Sequence, residues 1–192
     1  MRWLPNALTV SRILMLVPLM WMLASAENSM AYRVAFGLFL VASISDGLDG
    51  WAARRLGCVS NIGIFLDPLA DKIFANVLLV FLAYRFPQWV PMWLVLILLA
   101  REFAVQGFRS MAPCVGVVIR TEMLSKLKLV FQLLAAGAVF VGLGWNASIP
   151  IMQPVAWFNL LLALLSGVVS MVSIFWKNRD LWTRMAIQME IR

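Results

Sequence analysis

An all-α fold crossing a membrane six times is predicted by three features of this sequence: its apolar composition, the spacing of its apolar runs, and the placement of its charges. Of its 192 residues, 63% are hydrophobic and the mean hydropathy is +0.90. Soluble domains are apolar over only about half their length, so the excess needs an apolar solvent. In lipid a helix satisfies its own backbone, and about 20 apolar residues suffice to cross. Six such runs occur, separated by short polar or proline-bearing turns, and the chain 1–192 reads as a single integral membrane domain.

Met1 to Asn6 forms a short amphipathic lead. Ala7 to about Ala26 gives span one, interrupted by Ser11, Arg12 and Pro18. The early apolar run lacks a small-residue cleavage site, so it is expected to be retained. Glu27, Asn28 and Ser29 make a polar turn, and span two runs from Arg33 to about Ala53 with Asp46 and Asp49 near its end. A short basic loop is expected from Arg54 to Gly63. Asp67-Pro68 resembles a helix cap followed by proline in the first turn, so span three is expected to start there or one turn earlier and to end at Tyr84. Arg85 to Pro91 holds two prolines and makes a turn. Span four, Met92 to Phe108, carries Arg101 and Glu102 near its end; Ala112 to about Ser125 is a loop. Spans five (about Lys126 to Gly144) and six (about Val155 to Trp176) are almost wholly apolar.

Six spans put both termini on one side, and the cations decide which. With the Asp46–Asp71 region inside, 14 of the 16 Lys and Arg residues face the cytoplasm, leaving Arg33 and Arg85 outside. The positive-inside rule selects that orientation. The net charge of +7 and pI near 10.3 therefore need no nucleic acid, because the basic residues are spread over span ends. Arg2, Arg55, Lys177, Arg179, Arg184 and Arg192 read as topological anchors or contacts to lipid headgroups. Cys58 and Cys114 lie 56 positions apart in expected cytoplasmic segments, which suggests reduced thiols.

Four carboxylates interrupt this apolar pattern. Asp46 and Asp49 are three apart and Asp67 and Asp71 four apart, so each pair shares a helical face. Crowded acids are driven towards protonation unless positive charge lies between them. Histidine is absent and neither cysteine falls in the cluster, which favours a hard ion, Mg²⁺ or Mn²⁺, over zinc. Two such ions can serve a phosphoryl displacement, so a phosphorylated substrate is expected. Gly50 and Ala53 leave room for a ligand or backbone to approach. The structural alternative is pairing of the acids with Arg54, Arg55 or Lys72.

Asp46-x2-Asp49-Gly50-x2-Ala53-Arg54-x8-Gly63-x3-Asp67-x3-Asp71 resembles, without departure, the signature of the CDP-alcohol phosphotransferase family: eight residue types fixed over 26 positions. The resemblance implies a membrane enzyme that moves a phosphatidyl or similar group from a CDP-linked donor to an alcohol and releases CMP. It implies two metal ions on Asp46, Asp49, Asp67 and Asp71, with Asp71 also taking the proton of the alcohol. Gly50, Ala53, Arg54 and Gly63 are then expected in the donor-binding set. A homodimer is implied as well, although no residue pattern identifies the interface.

An acceptor with its own phosphate would need cations beside the metal site. Arg101 and Arg109, eight apart, lie near one face of span four and its extension; Lys126 and Lys128 open span five, and Arg120 lies between. The alternatives are that Arg101 pairs with Glu102 or a cluster Asp and that Lys126 is an interface anchor. Asn6-Ala-Leu-Thr9-Val-Ser-Arg12, Phe65-Leu-Asp67-Pro-Leu-Ala-Asp71-Lys72, Arg101-Glu102-Phe103 with Arg109, and Lys126-Leu-Lys128 with Gln132 resemble the bacterial phosphatidylglycerolphosphate synthases. There are departures: Ser125 stands where Gly is expected, Leu129 where Thr is expected, and Ala112 to Thr121 is less polar. That similarity covers about the first two-thirds of the chain and implies sn-glycerol 3-phosphate as acceptor, CDP-diacylglycerol as donor, and an active site at the cytoplasmic face of a bacterial inner membrane. Phosphatidylglycerol (giving cardiolipin), inositol phosphate or serine are the other acceptors to weigh. A non-catalytic membrane protein or a cation transporter is the reading from a different class.

Overall fold

The computed structural model describes residues 4–56, 61–115, 117, 119, 123–145 and 151–180; within 4–13, 45–56, 61–71 and 114–115 it describes the backbone. Six helices fill it: α1 (Leu4–Ser25), α2 (Ser29–Leu56), α3 (Asn61–Arg85), α4 (Met92–Met111), α5 (Met123–Gly144) and α6 (Met152–Lys177), with a 3-10 turn at Ala112–Val115. No strand occurs among the described residues. Neighbours form a closed ring in the order α1, α2, α5, α6, α4, α3, and α3 also packs on α5 across its middle.

Small and large residues interlock along that middle. Phe39 of α2 lies between Phe74 of α3 (centroids 6.4 Å apart) and Phe140 of α5 (5.1 Å). Leu19 and Leu23 of α1, Leu78 and Leu82 of α3, and Leu160 of α6 are fully buried around them. The outer surface is as apolar as the core. Trp21, Leu40, Tyr84, Ile97, Leu134 and Leu165, one from each helix, all stand exposed. In water such a surface would drive association; in lipid it is the solvated face. Met123–Gly144 and Met152–Lys177 are also long and apolar enough to cross a membrane. Together these features point to a membrane protein.

Successive helices run in opposite directions, so the bundle has two distinct ends. At the end formed by the α1–α2, α3–α4 and α5–α6 connections, Asn28 caps α2 by accepting the Ala31 N–H at 2.9 Å. Arg33 donates from Nε to the Gly144 carbonyl at 2.9 Å and lies 5.0 Å over the Trp145 ring. Gln153 and Trp157 of α6 both donate to the Gln88 carbonyl, at 2.8 and 3.1 Å. Trp89 rests on Gly142 so closely that a Cβ there would come within 2.1 Å of its ring.

Helix boundaries differ from the sequence expectation in one informative place. The basic loop expected from Arg54 to Gly63 contracts: α2 continues to Leu56 and α3 starts at Asn61, with 57–60 outside the described residues. Asp67-Pro68 is therefore not a cap but lies within α3. The apolar run Ile62, Ile64, Phe65, Leu66 extends the helix backwards, and in an apolar solvent the backbone of those residues is better satisfied as helix than as loop. That gain outweighs the single hydrogen bond a proline removes; Pro18 sits inside α1 in the same way.

Candidate active site

The opposite end of the bundle gathers charge. Glu102 of α4, 8% exposed, accepts from Lys72 of α3 at Oε1 (3.0 Å) and from Arg101 at Oε2 (3.3 Å). Its Oε2 is also bonded by Nζ of Lys128 on α5. Lys72 makes a second bond, to Oε1 of Gln106, at 2.9 Å. Three cations thus share one carboxylate among the described residues, and Arg101 and Lys128 are nearly as buried as the apolar core. Charge taken out of water must be paired and hydrogen-bonded, and Arg101 meets that demand fully. Its Nε donates to the Gly167 carbonyl of α6 at 2.8 Å and its Nη2 to the Ser125 hydroxyl of α5 at 3.2 Å. Ser125 in turn shares a 2.8 Å hydrogen bond with Ser170 of α6.

Helical periodicity explains how this patch arises. The buried face of α4 reads Leu94, Val95, Leu98, Arg101, Glu102, Val105, Phe108, apolar for two turns and charged for one. On α5 the buried stripe begins with Lys128 and Gln132 before it turns to alanines, and on α6 Ser166, Gly167 and Ser170 lie on the buried side. Gly167 matters by its size: a Cβ there would lie 3.4 Å from Lys128 Cδ and 3.7 Å from Arg101 Cδ. Even a methyl would touch both cationic stems, so any larger group would displace them.

Arg109 lies two turns beyond Arg101 on α4. Its Nε and Nη2 are buried without a hydrogen-bond partner, as are Oε1 of Gln132 and the hydroxyl of Ser43. An unpaired buried donor costs about 1–3 kcal/mol, so the Arg109 guanidinium is suited to an anionic ligand. Nε2 of Gln132 donates to Asn76 of α3 at 3.4 Å, one turn below Lys128 and Lys72. Lys126 is exposed and does not join the patch. Arg120 lies outside the described residues.

The side chains of Asp46, Asp49, Gly50, Ala53, Arg54, Gly63, Asp67 and Asp71 also lie outside the described residues, but their backbone is helical. Register then says where they fall. On α2 the buried stripe Ala35, Phe39, Ala42 continues at three- and four-residue steps to Asp46, Asp49 or Gly50, and Ala53. On α3 the sequence Gly63, Asp67, Asp71 leads at four-residue steps into the buried Phe74, Ala75, Leu78 and Leu82. Those two stripes meet where Phe39 stacks on Phe74. From that contact a rise of 1.5 Å per residue carries Asp46 and Asp67 each about 10 Å along their helices towards the charged end. Four carboxylate-bearing positions thus fall on α2 and α3, in a sequence without histidine, and carboxylate oxygens are the donors hard divalent cations take.

Lys72, Ser125, Gly167 and Ser170 carry interactions here that the sequence reading did not assign, and Glu102 entered it only as a partner for Arg101. A signal existed on α6: Ser166, Gly167 and Ser170 interrupt an apolar helix at three- and four-residue spacing, the pattern of a close helix contact.

The sequence model of the family described as CDP-alcohol phosphatidyltransferase matches residues 2–181. A Bacillus subtilis (strain 168) protein named CDP-diacylglycerol–glycerol-3-phosphate 3-phosphatidyltransferase is 35% identical over 177 residues, covering 85% of this chain and 91% of its own. Proteins of the same name from Rickettsia typhi and Rickettsia prowazekii are each 36% identical, covering 74% and 72% of this chain and 78% and 75% of theirs. With the signature intact on α2 and α3 and the family match running from the start of α1 past the end of α6, this chain belongs to the CDP-alcohol phosphatidyltransferase family.

Proposed function

We propose that the protein transfers the phosphatidyl group of CDP-diacylglycerol to sn-glycerol 3-phosphate, yielding phosphatidylglycerol phosphate and CMP. The observation that carries the acceptor assignment is the cation-rich patch of Arg101, Lys128 and Lys72 around Glu102, with Arg109 holding unpaired buried donors near it. An uncharged or zwitterionic alcohol has little use for those groups; a phosphate monoester does.

Family members use divalent metal ions. Asp46, Asp49, Asp67 and Asp71 would hold two Mg²⁺ or Mn²⁺ ions, which when bound supply the positive charge that neutralises the pyrophosphate oxygens. The chain's own residues do the rest. Gly50, Ala53, Arg54 and Gly63 accommodate the cytidine diphosphate part of the donor. Arg109 and Lys128 hold the acceptor's phosphate, with Arg120 and the exposed Lys126 as the further cations the sequence offers for it, while Arg101 is braced by Gly167 and Ser125. Asp71 accepts the proton of the acceptor hydroxyl, that oxygen bonds to the phosphorus bearing diacylglycerol, and the bond from phosphorus to CMP breaks. Fixed positioning and fixed charge supply most of the rate.

The same reading makes all of 1–192 one domain with six transmembrane helices. Exposed apolar side chains on every helix support it, as does the sequence distribution of Lys and Arg, which under the positive-inside rule favours both termini and the site in the cytoplasm. The bacterial relatives support the inner membrane as location, and the family resemblance supports a homodimer. The test uses purified protein with CDP-diacylglycerol and Mg²⁺ or Mn²⁺, following CMP release with each candidate alcohol. Release that requires glycerol 3-phosphate is expected; release with another alcohol only would overturn the acceptor, and none with any would overturn catalysis.

A further inference from the structure

Glu102 is assigned neither to the metal ions nor to a substrate, yet it is the point on which the described cations of the charged end converge. It is the shared acceptor of cations from three helices, Lys72 of α3, Arg101 of α4 and Lys128 of α5, and it does this while 8% exposed. We infer that Glu102 is a positioning residue for the acceptor: its carboxylate holds the Lys128 and Lys72 ammonium groups in place to meet the acceptor's phosphate. This rests on the reading of the acceptor as a phosphate monoester.

Two physical facts carry the inference. A lysine ammonium is a point charge on a flexible four-carbon stem, so left alone Lys128 and Lys72 would spread over many rotamers and repel each other. One carboxylate with two oxygens draws them together, Oε1 taking Lys72 and Oε2 taking Lys128. Among the described residues one acid thus gathers three cations, which sets their ammonium and guanidinium groups side by side. Were Glu102 present only to stabilise buried charge, a single partner would suffice, and Arg101 is already satisfied by Gly167 and Ser125 as well. Lys72 has Gln106 to turn to. Lys128, 3% exposed, donates to Glu102 and lies against Gly167, so its position depends most on the acid.

The experiment compares Glu102→Gln and Glu102→Asp with the parent protein in detergent, reading KM for each substrate separately and the thermal midpoint without substrates. Glu102→Gln keeps the shape and removes the charge. It is expected to raise KM for glycerol 3-phosphate roughly 10-fold or more, the loss of one charge-assisted contact, with KM for CDP-diacylglycerol changed less than about twofold. Glu102→Asp keeps the charge one methylene further back and is expected to restore part of the affinity. A folded Gln variant whose KM for glycerol 3-phosphate stays within twofold of the parent overturns the inference, as does a parallel rise in both KM values with a lowered midpoint. Where the Gln variant does not fold, the Asp variant decides: an unchanged KM for glycerol 3-phosphate overturns the inference, and a selective rise supports it. A parent protein that ignores glycerol 3-phosphate would instead overturn the acceptor assignment, a result visible before any variant is made.

Discussion

The two ends of the bundle handle arginine in opposite ways. At the end carrying the α1–α2 connection, Arg33 is exposed, and its partners are neutral: the Gly144 carbonyl and the face of Trp145. At the other end Arg101 is 4% exposed and shares its acid with two lysines, while Arg109 keeps buried nitrogens unpaired. The first arrangement closes a bundle, because it joins α2 to the end of α5 without burying net charge. The second does more than closure requires, because it gathers three cations on one buried acid among the described residues and leaves Arg109 donors open. Ionisable groups buried in a membrane fold are costly and mark functional sites by default.

Several substitutions sharpen the contrast, in order of effect. Asp71→Asn removes the assigned base and is expected to lower kcat by about 100- to 10,000-fold, with binding of CDP-diacylglycerol retained in a direct binding assay; substantial residual turnover would remove Asp71 from that role. Arg109→Ala is expected to raise KM for glycerol 3-phosphate about 10- to 100-fold, leaving KM for the donor alone. At the closing end the readout changes from kinetics to stability. Gly142→Ala drives a methyl into Trp89 and is expected to cost about 1–3 kcal/mol with both KM values unchanged, and Trp89→Leu in the same chain should recover most of it. Arg33→Met, which loses one hydrogen bond and one ring contact at an exposed site, should cost only about 0.5–1 kcal/mol. A change in KM for glycerol 3-phosphate from either closing-end variant would erase the distinction. Arg179→Ala breaks an exposed 4.0 Å pair with Asp180 and should alter neither quantity measurably.

Much of this was legible in the sequence because apolar periodicity and the Asp spacing are local signals. Six helices, their order and most of their limits follow from runs and turns, and Asp46 to Asp71 stand out because acids do not belong in such runs. Asp67-Pro68 misled because a cap signature looks the same whether a helix begins there or passes through, and only the solvent distinguishes them. The role of Glu102 was hidden for another reason. Its partners come from positions 72, 101 and 128, and nothing local says that α3 and α5 meet at α4's last charged turn. Gly167 and Ser170 were hidden more deeply still, since their contributions are a backbone carbonyl and a small volume, neither of which leaves a motif.

The bond from Arg101 to the Gly167 carbonyl has a consequence for how the enzyme is made. Every recognisable motif has been synthesised by the time α5 is complete, yet Arg101 and Lys128 lie against a helix that begins at Met152. A nascent chain halted before α6 would carry the full signature and still lack the brace that orients its cations. The motifs that mark the chain are thus made before α6, the helix that braces their cations, so the charged end takes its described form only once α6 has packed against α4 and α5.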